Sequence, residues 1–345
     1  MRYLYAPAFL LMSMLSSQLL HAQQPMLTTP QASPKAQVSQ FVGLSDVTVT
    51  YHRPMVKGRE VYGKLVPYGR MWRAGANENT VLTLSHEATV NGKKLPAGTY
   101  GLHMIPTEKE WTIVFSSDHD SWGSYFYRKE NDVLRVTAQT KACEHQEALA
   151  YTFENVGSNS CDMVMSWGKL SVPVTFEFDV HAIVVANMEK ELMGIPGFYP
   201  QGWQEIATYC VNNEVELDRA DAWIDRSMRS GKTFANLNTK ARLYKLQGKN
   251  TEAEKLMDEA MAMATEAEIN AYGYQLMNEG NTKKALEVFT LNTKKHSDSW
   301  NCWDSLGEAY LSNGDKAKAK KYYAKARKMA PTDQHARIDG VMADL

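Results

Sequence analysis

The sequence predicts a β + α protein with two domains, an antiparallel β-sandwich or jelly-roll-like domain followed by an α-helical solenoid. Three observations lead to this prediction. The chain has 345 residues, a length that favours two domains over one. Apolar residues recur with a period of two from residue 37 to 181, and with a helical period afterwards. The helical part also repeats itself roughly every 34 residues, as helical solenoids do.

Short alternations of apolar and polar residues make up the first domain, over residues 37–181. Val47, Val49 and Tyr51 alternate with polar residues, which is typical of a half-buried strand. A hairpin is predicted at 88–95, because Asn91-Gly92 tolerates the positive φ angles of a two-residue turn. Further strands are predicted at 80–84, 99–105, 111–115, 133–137, 149–153, 163–167 and 172–180.

Repeated helical motifs make up residues 200–345, after a connecting helix and linker over 182–199. The last repeat has small and aromatic residues at fixed offsets: Trp303, Leu306, Gly307, Tyr310, Gly314, Ala319, Tyr323, Ala326 and Pro331. Similar copies precede it, and a degenerate fourth begins near Trp203. This spacing resembles the tetratricopeptide family. The resemblance implies stacked helix pairs whose concave face forms a groove for a protein partner.

The N-terminus has the features of a secretory signal peptide over residues 1–22. Arg2 is followed by an apolar run, and Ala22 is a small residue at the expected cleavage position. An uncleaved membrane anchor is the alternative, although serines interrupt the run. We therefore expect a periplasmic or secreted protein that starts with a flexible leader, residues 23–36, and has no transmembrane segment after cleavage.

Several segments of the β-domain resemble a known family. They are Tyr51-His52-Arg53-Pro54, Leu65-Val66-Pro67-Tyr68-Gly69, Met71-Trp72-Arg73-Ala74-Gly75-Ala76-Asn77-Glu78-Asn79-Thr80, Leu95-Pro96-Ala97-Gly98-Thr99-Tyr100 and Ser121-Trp122-Gly123. In order and spacing, residues 35–180 are similar to the secreted bacterial family called domain of unknown function 2911. The resemblance implies a fold and an exported location, and it supplies no catalytic residue.

Four cysteines are present, and two of them lie close together in the sequence. Cys143 and Cys161 form a candidate disulfide in an oxidising compartment. The alternative is a pair of buried free thiols. Without a CxxC motif, neither a thioredoxin-type site nor a zinc ribbon is predicted.

The composition and motifs argue against several function classes. With 38 basic and 39 acidic residues, the chain lacks the basic excess typical of nucleic-acid binding. There is no GxSxG, HExxH, P-loop or GxGxxG motif, so no cofactor is predicted. Asp118-His119-Asp120 is the most metal-like run, but side chains of consecutive residues diverge in an extended loop. We therefore predict no metal site.

A dense polar cluster at residues 70–79 is the strongest candidate for a ligand site. Arginines there could bind carboxylate or hydroxyl groups, and a tryptophan could provide a stacking face. The alternative is structural, with these side chains satisfying backbone groups in a loop. The candidate ligand-binding residues are Arg53, Arg59, Arg70, Trp72, Arg73, Asn77 and Glu78.

Two functions are compatible with this sequence. The first is an exported, non-enzymatic binding or scaffold protein, whose β-domain binds a small molecule, a glycan or an envelope component and whose repeats bind a protein partner. The second is a secreted hydrolase of glycan or peptide material that uses the cluster from Arg70 to Asn79, with Glu78 or Asp118 as a catalytic carboxylate. The absence of catalytic motifs favours the first.

Overall fold

A computed structural model describes residues 29–345 of the protein, so the predicted signal peptide and part of the predicted leader lie outside the described residues. The chain divides into two compact units, one ending at Val180 and the other running from His181 to Leu345. Strands form the first unit and helices the second.

The first unit, the β-domain, is an antiparallel sandwich of two sheets. The larger sheet has the strand order β1-β2-β3-β6-β7-β8, and the smaller one has the order β5-β4-β10-β9. Neighbouring strands are antiparallel throughout. The strands are β1 (Lys35–Val42), β2 (Ser45–His52), β3 (Thr80–Leu84), β4 (Ala88–Val90), β5 (Lys93–Leu95), β6 (Gly98–Ile105), β7 (Glu110–Ser116), β8 (Asp132–Gln139), β9 (Lys141–Glu154) and β10 (Ser160–Glu177).

The core lies between the two sheets, where alternate side chains of each strand meet. On β2 Val47 and Val49 are fully buried, as the alternation predicts, and Ser45 on the same face is fully buried too. Aromatic rings join the sheets. Tyr51 packs edge-on against Tyr151 with centroids 4.7 Å apart, and Phe115 does the same against Phe176 at 6.3 Å. The opposite face of the larger sheet is free to carry polar side chains.

The Asn91-Gly92 hairpin forms as predicted. Both turn residues have positive φ angles, 43° and 82°, as a type I′ turn requires. Two other details differ from the prediction. The strands expected at 163–167 and 172–180 are a single strand, β10, because Gly168 (φ 64°) makes an irregularity in the pairing with β9 instead of a chain reversal. Strand β1 lies partly in the predicted leader. It was not predicted because its sequence is largely polar.

The predicted disulfide is not formed, since Cys143 and Cys161 are both free. The register explains this. Ala142 pairs with Leu170 and Gln146 with Gly168, so Cys143 lies opposite this part of β10. Cys161 is near the start of the same strand, roughly 23 Å away at 3.3 Å per residue. A disulfide needs Cα atoms within about 7 Å.

The second unit consists of successive antiparallel helix pairs. Helix α1 (Val180–Glu191) and a 3₁₀ turn (Ile195–Phe198) lead into them. The remaining helices are α2 (Pro200–Asn213), α3 (Leu217–Met228), α4 (Phe234–Leu246), α5 (Asn250–Met263), α6 (Glu266–Asn278), α7 (Thr282–Lys295), α8 (Trp300–Ser312), α9 (Lys316–Met329) and α10 (Thr332–Ala343). This is the predicted tetratricopeptide-like solenoid.

Glycines in the first helix of a pair allow close packing of the second. A Cβ placed on Gly273 would lie 2.6 Å from the ring of Phe289, and one on Gly307 would lie 3.1 Å from the ring of Tyr323. Helices α4 and α6 also begin with a reciprocal capping box, at Thr233 and Thr265 respectively. From residue 29 to the C-terminus, no helix is long and apolar enough to cross a membrane.

Candidate ligand sites of the β-domain

The irregular segment between Met71 and Thr80 is held in place by its own side chains and by β6. The main chains of Trp72 and Met104 exchange two hydrogen bonds of 2.8 Å. The Trp72 indole N–H donates to Gly75 O at 3.1 Å, and the Arg73 guanidinium donates to Asn77 O at 2.6 Å. The structural hypothesis for Trp72 and Arg73 is thus partly correct, because both satisfy loop carbonyls.

The same two side chains line a cavity of about 400 Å³, which we call the tryptophan cavity. Trp72 stacks on Trp167 with centroids 5.9 Å apart and planes at 17°. Trp167 is 1 % exposed, so the half-buried Trp72 ring, backed by Trp167, supplies the aromatic surface of this cavity, which suits a flat or ring-shaped ligand. The lining residues are Ala32, Ser33, Pro54, Met55, Lys57, Arg59, Leu65, Val66, Trp72, Arg73, Gly75, Ala76 and Trp167.

The tryptophan cavity is electropositive. Lys57, Arg59 and Arg73 line it, and its described lining residues include no Asp or Glu. Backbone hydrogen bonds position two of the cations: Arg59 Nε donates to Val56 O at 3.0 Å and Arg73 to Asn77 O. A guanidinium fixed in this way retains further N–H donors for an anion.

A second cavity, of about 450 Å³, lies against the outer face of the larger sheet, and we call it the histidine cavity. Strands β1, β2 and β3 contribute to it, together with the segment before β3 and the loop after β7. Its lining residues are Gln31, Lys35, Thr50, His52, Glu78, Asn79, Val81, His119, Asp120 and Ser121.

His52 and Glu78 are in close contact in the histidine cavity. His52 Nε2 lies 3.1 Å from Glu78 Oε2. His52 is 5 % exposed, and burial lowers its pKa, an effect that the Glu78 carboxylate opposes only in part. The imidazole is therefore neutral at pH 7, and it leaves the Glu78 charge uncompensated. The other ring nitrogen, Nδ1, is buried without a hydrogen-bond partner.

Asn79 connects this cavity to the loop over residues 117–131. Its Nδ2 donates to Asp118 O at 3.3 Å and to Ser121 Oγ at 3.0 Å. Gly101 on β6 lets the loop approach, since a Cβ there would collide with the carbonyl of Asp118. The loop also covers His103, whose pKa burial lowers to about 4. The loop forms one wall of the cavity and packs directly on the sheet. Asn79 therefore holds this wall in place.

Four of the seven predicted ligand-binding residues line one of the two cavities, and the other three line neither. Arg59, Trp72 and Arg73 line the tryptophan cavity, and Glu78 lines the histidine cavity. Asn77 lies between them, with φ 56° and its side-chain amide donating to Gln31 and Ser33. Arg53 lines neither cavity, because its Nε donates to Leu149 O at 3.0 Å. Arg70 is exposed and also outside both cavities.

Sequence reasoning missed several lining residues. Trp167 is far from the cluster in sequence and belongs to β10, so only the fold brings it to Trp72. Asp120, and not the predicted Asp118, lines the cavity of Glu78. The Asp118 carboxylate instead accepts a hydrogen bond from Asn131. The alternation of Thr48, Thr50 and His52 on one face of β2 was the available signal for the histidine cavity.

Part of the predicted leader contacts the site. Asn77 Nδ2 donates to Gln31 Oε1 at 2.7 Å and to Ser33 O at 3.0 Å. Gln31 lines the histidine cavity, while Ser33 lines the tryptophan cavity. Residues 31–33 thus separate the two cavities. Within residues 29–345, no group of three or more His, Cys, Asp or Glu side chains is arranged to hold a metal ion.

The helical unit offers a different kind of surface. The first helices of neighbouring pairs contact one another, α2 with α4 and α6 with α8. Polar side chains join them across repeats: Thr208 and Thr239 share a 3.0 Å hydrogen bond, and the Tyr274 hydroxyl donates to Glu308 at 2.7 Å. The face formed by these first helices is the surface on which we expect a protein partner.

Two family models match the chain. Residues 33–176 match a family described as a protein of unknown function, DUF2911. Residues 300–333 match the tetratricopeptide repeat. Both resemblances seen in the motifs are confirmed, and the helical unit is of a type that serves as a scaffold for protein interaction.

Solved structures similar to this chain are distant in sequence. One is PilF of Pseudomonas aeruginosa, with 14% identity and a TM-score of 0.29 over 43% of this chain and 68% of that one. Another is the C-terminal part of a TPR repeat-containing protein from Cytophaga hutchinsonii, with 17% identity and a TM-score of 0.31 over 46% and 65%. A tetratricopeptide repeat protein from Parabacteroides merdae has 14% identity and a TM-score of 0.29 over 47% and 63%. No curated protein matches the chain.

Proposed function

Starting from a DUF2911 β-domain joined to tetratricopeptide repeats, we propose that the protein is an exported, non-enzymatic binding protein. Its β-domain binds an anionic, ring-containing ligand in the tryptophan cavity, and its helical unit holds a protein partner. One observation supports the ligand class most directly: Lys57, Arg59 and Arg73 line the same cavity as the stacked pair Trp72 and Trp167.

The chemistry of this cavity selects for charge and shape together. Three cations attract a carboxylate or a phosphate, and a fixed guanidinium group can donate two parallel hydrogen bonds to either anion. The tryptophan wall favours a ring, because stacking removes apolar surface from water. A uronic acid or another cyclic carboxylate has both features, and a cavity of about 400 Å³ is large enough for one ring.

Export is part of the proposal, and it is supported by the N-terminal sequence with Arg2, an apolar run and Ala22. The expected product starts at Gln23. Expression in a bacterial host followed by fractionation and N-terminal sequencing tests this step. A full-length chain retained in the cytoplasm would refute export without bearing on the ligand.

The ligand proposal is tested with two sugars that differ in one group, glucuronate and glucose. The chain from Gln23 to Leu345 is heated with each, and galacturonate and benzoate extend the set of cyclic carboxylates. A ligand at a hundred times its dissociation constant stabilises the folded protein by about 2.7 kcal/mol. We expect the anions to raise the melting temperature and glucose to leave it unchanged.

Three variants locate the binding. Lys57→Gln removes a cation whose side chain is exposed, and Arg73→Lys keeps the charge but loses the planar donors. Both are expected to weaken anion binding. Arg70→Gln is the matched control, because Arg70 lies in the same segment outside both cavities. If none of the anions stabilises the chain, or if Arg70→Gln weakens binding as much as Lys57→Gln, the proposal fails.

A secreted hydrolase is the second candidate function. The observation that favours it is that Glu78 and Asp120 line one cavity, which could place two carboxylates beside a substrate. His52 does not act as a base there, because its Nε2 faces Glu78 and its Nδ1 is buried. Hydrolysis of a glycan or peptide that Glu78→Gln abolishes would establish this function, and hydrolysis that survives the substitution would exclude Glu78 as its catalyst.

A further inference from the structure

The histidine cavity has a composition opposite to that of the tryptophan cavity. Two carboxylates, Glu78 and Asp120, line it with a single lysine, Lys35. His52 adds no positive charge at pH 7, since burial keeps its imidazole neutral. The cavity therefore has an excess of negative charge.

Buried acceptors without partners are the second feature of this cavity. Asn79 is 4 % exposed, and its Oδ1 has no hydrogen-bond partner. The orientation of this amide is determined by its surroundings, because Nδ2 faces the carbonyl of Asp118, which can only accept. Glu78 Oε2 is buried as well and lies 3.1 Å from His52 Nε2, and a carboxylate oxygen beside one imidazole nitrogen retains a lone pair for a further donor. Buried acceptors of this kind carry a cost until a donor reaches them.

The number of acceptors distinguishes between possible donors. A sugar hydroxyl donates one hydrogen bond and also presents lone pairs, which would face the carboxylate oxygens. A protonated primary amine donates three hydrogen bonds and presents no acceptor. Its positive charge is also complementary to Glu78 and Asp120, and hydrogen bonds between charged groups are about twice as strong as neutral ones.

We propose that the histidine cavity is a second ligand site, specific for a protonated primary amine held by Glu78, Asn79 and Asp120. Lys35, Thr50, Val81 and His119 border the rest of the cavity, so the remainder of the ligand meets both polar and apolar groups. An amino sugar and the free N-terminus of a peptide both carry this group. The site is independent of the anion site, since no residue lines both cavities.

The test uses the chain from Gln23 to Leu345 and two pairs of probes in calorimetric titrations at pH 7. Glucosamine and glucose differ in the amine of an amino sugar. Alaninamide and N-acetylalaninamide differ in the free amine of a peptide terminus. We expect at least one amine to bind and its uncharged counterpart not to bind. Binding of glucosamine but not alaninamide would identify amino sugars as the ligand class. Binding of alaninamide but not glucosamine would identify peptide termini.

Glu78→Gln keeps the size of the side chain and removes its charge, so amine affinity is expected to fall by about tenfold or more. Glu87→Gln is the matched control, because Glu87 is also paired, with Lys94 at 2.8 Å, and is outside the cavity. Circular dichroism confirms that both variants are folded. Absence of amine binding, equal binding of amine and uncharged probes, or unchanged affinity in Glu78→Gln would each overturn the proposal. Lys57→Gln retains amine binding, so failure of the anion proposal can be recognised separately.

Discussion

Glycine permits close packing in both units, but its partners differ. In the helical unit, Gly273 faces Phe289 and Gly307 faces Tyr323, so one contact recurs in consecutive repeats. In the β-domain, Gly101 faces the carbonyl of Asp118 in a contact that occurs once. A repeated contact leaves a periodic signal in the sequence, whereas a single long-range contact leaves none. The two cavities of the β-domain consequently depend on long-range contacts that have no repeating signal in the sequence and that a single substitution can disrupt.

The largest effect is expected from Gly101→Ala. The added methyl group would collide with the Asp118 carbonyl, and the loop that carries His119, Asp120 and Ser121 must move. We expect the free energy of unfolding of the β-domain to fall by about 3 kcal/mol, the upper range for an overpacked site. Amine binding should be lost as well.

Hydrogen-exchange mass spectrometry resolves this effect by unit. Protection should fall in the β-domain and stay unchanged in the helices. Thr83→Ala is the control, since Thr83 is exposed on the outer face of the same sheet. Equal protection in Gly101→Ala and the unsubstituted chain would mean that the loop does not rest on Gly101.

Two buried groups, His103 in the β-domain and Asp304 in the helical unit, should respond to acid with opposite effects on stability. Burial lowers the pKa of His103 to about 4, although Asp132 and Asp118 oppose the shift and Arg73 adds to it. The unfolded chain then binds a proton near pH 6.5, before the folded one does. The contribution of His103 to the free energy of unfolding is therefore fully present above pH 6.5. It falls by about 3 kcal/mol as the pH drops to about 4.

The pH dependence of stability that comes from Asp304, in the helical unit, has the opposite sign. Burial raises its pKa, and Arg337 opposes this only in part, so protonation of Asp304 favours the folded helices as the pH falls.

Chemical denaturation from pH 7 to 4 checks the effect of His103. The test variant is His103→Asn, which keeps a hydrogen-bonding group near Ser124 Oγ. This variant should flatten the pH dependence. An equally steep dependence would assign the acid sensitivity to other groups.

Glycine substitutions along the helices should give a graded and smaller series. Gly273→Ala places a Cβ 2.6 Å from the Phe289 ring, and we expect a loss of about 2 kcal/mol. Gly307→Ala, at 3.1 Å from Tyr323, should lose about 1 kcal/mol. Gly340→Ala in α10 meets open space and should stabilise the protein by up to about 1 kcal/mol through helix propensity. Thermal denaturation of the three variants checks the order, and a loss in Gly340→Ala would contradict it.

The parts of the fold that were predictable share a local cause. The Asn91-Gly92 turn depends on two adjacent residues, and the helical repeats depend on spacings that recur. Strand β3 was placed at its observed bounds because it is a short run of β-branched and apolar residues, Thr80–Leu84. Strand β1 was missed because its sequence is mostly polar, and its pairing with β2 determines its conformation.

The sites were only half predictable for the same reason. The polar cluster showed that the segment carrying Trp72 and Arg73 is unusual, but it did not show that this segment borders two cavities. Trp167 and Asp120 reach those cavities through the pairing of β10 and the loop after β7, which are non-local. The Cys143–Cys161 spacing was misleading, because nearness in sequence across two long paired strands places the thiols at opposite ends.

We propose that the β-domain has two ligand sites of opposite charge preference. A crossed titration tests the two sites together: glucuronate and the amine that binds, glucosamine or alaninamide, are each titrated into the unsubstituted chain, Lys57→Gln and Glu78→Gln. We expect Lys57→Gln to weaken binding of glucuronate alone and Glu78→Gln to weaken binding of the amine alone. If each substitution weakens both ligands equally, or neither ligand, the two cavities are not separate binding sites of opposite preference.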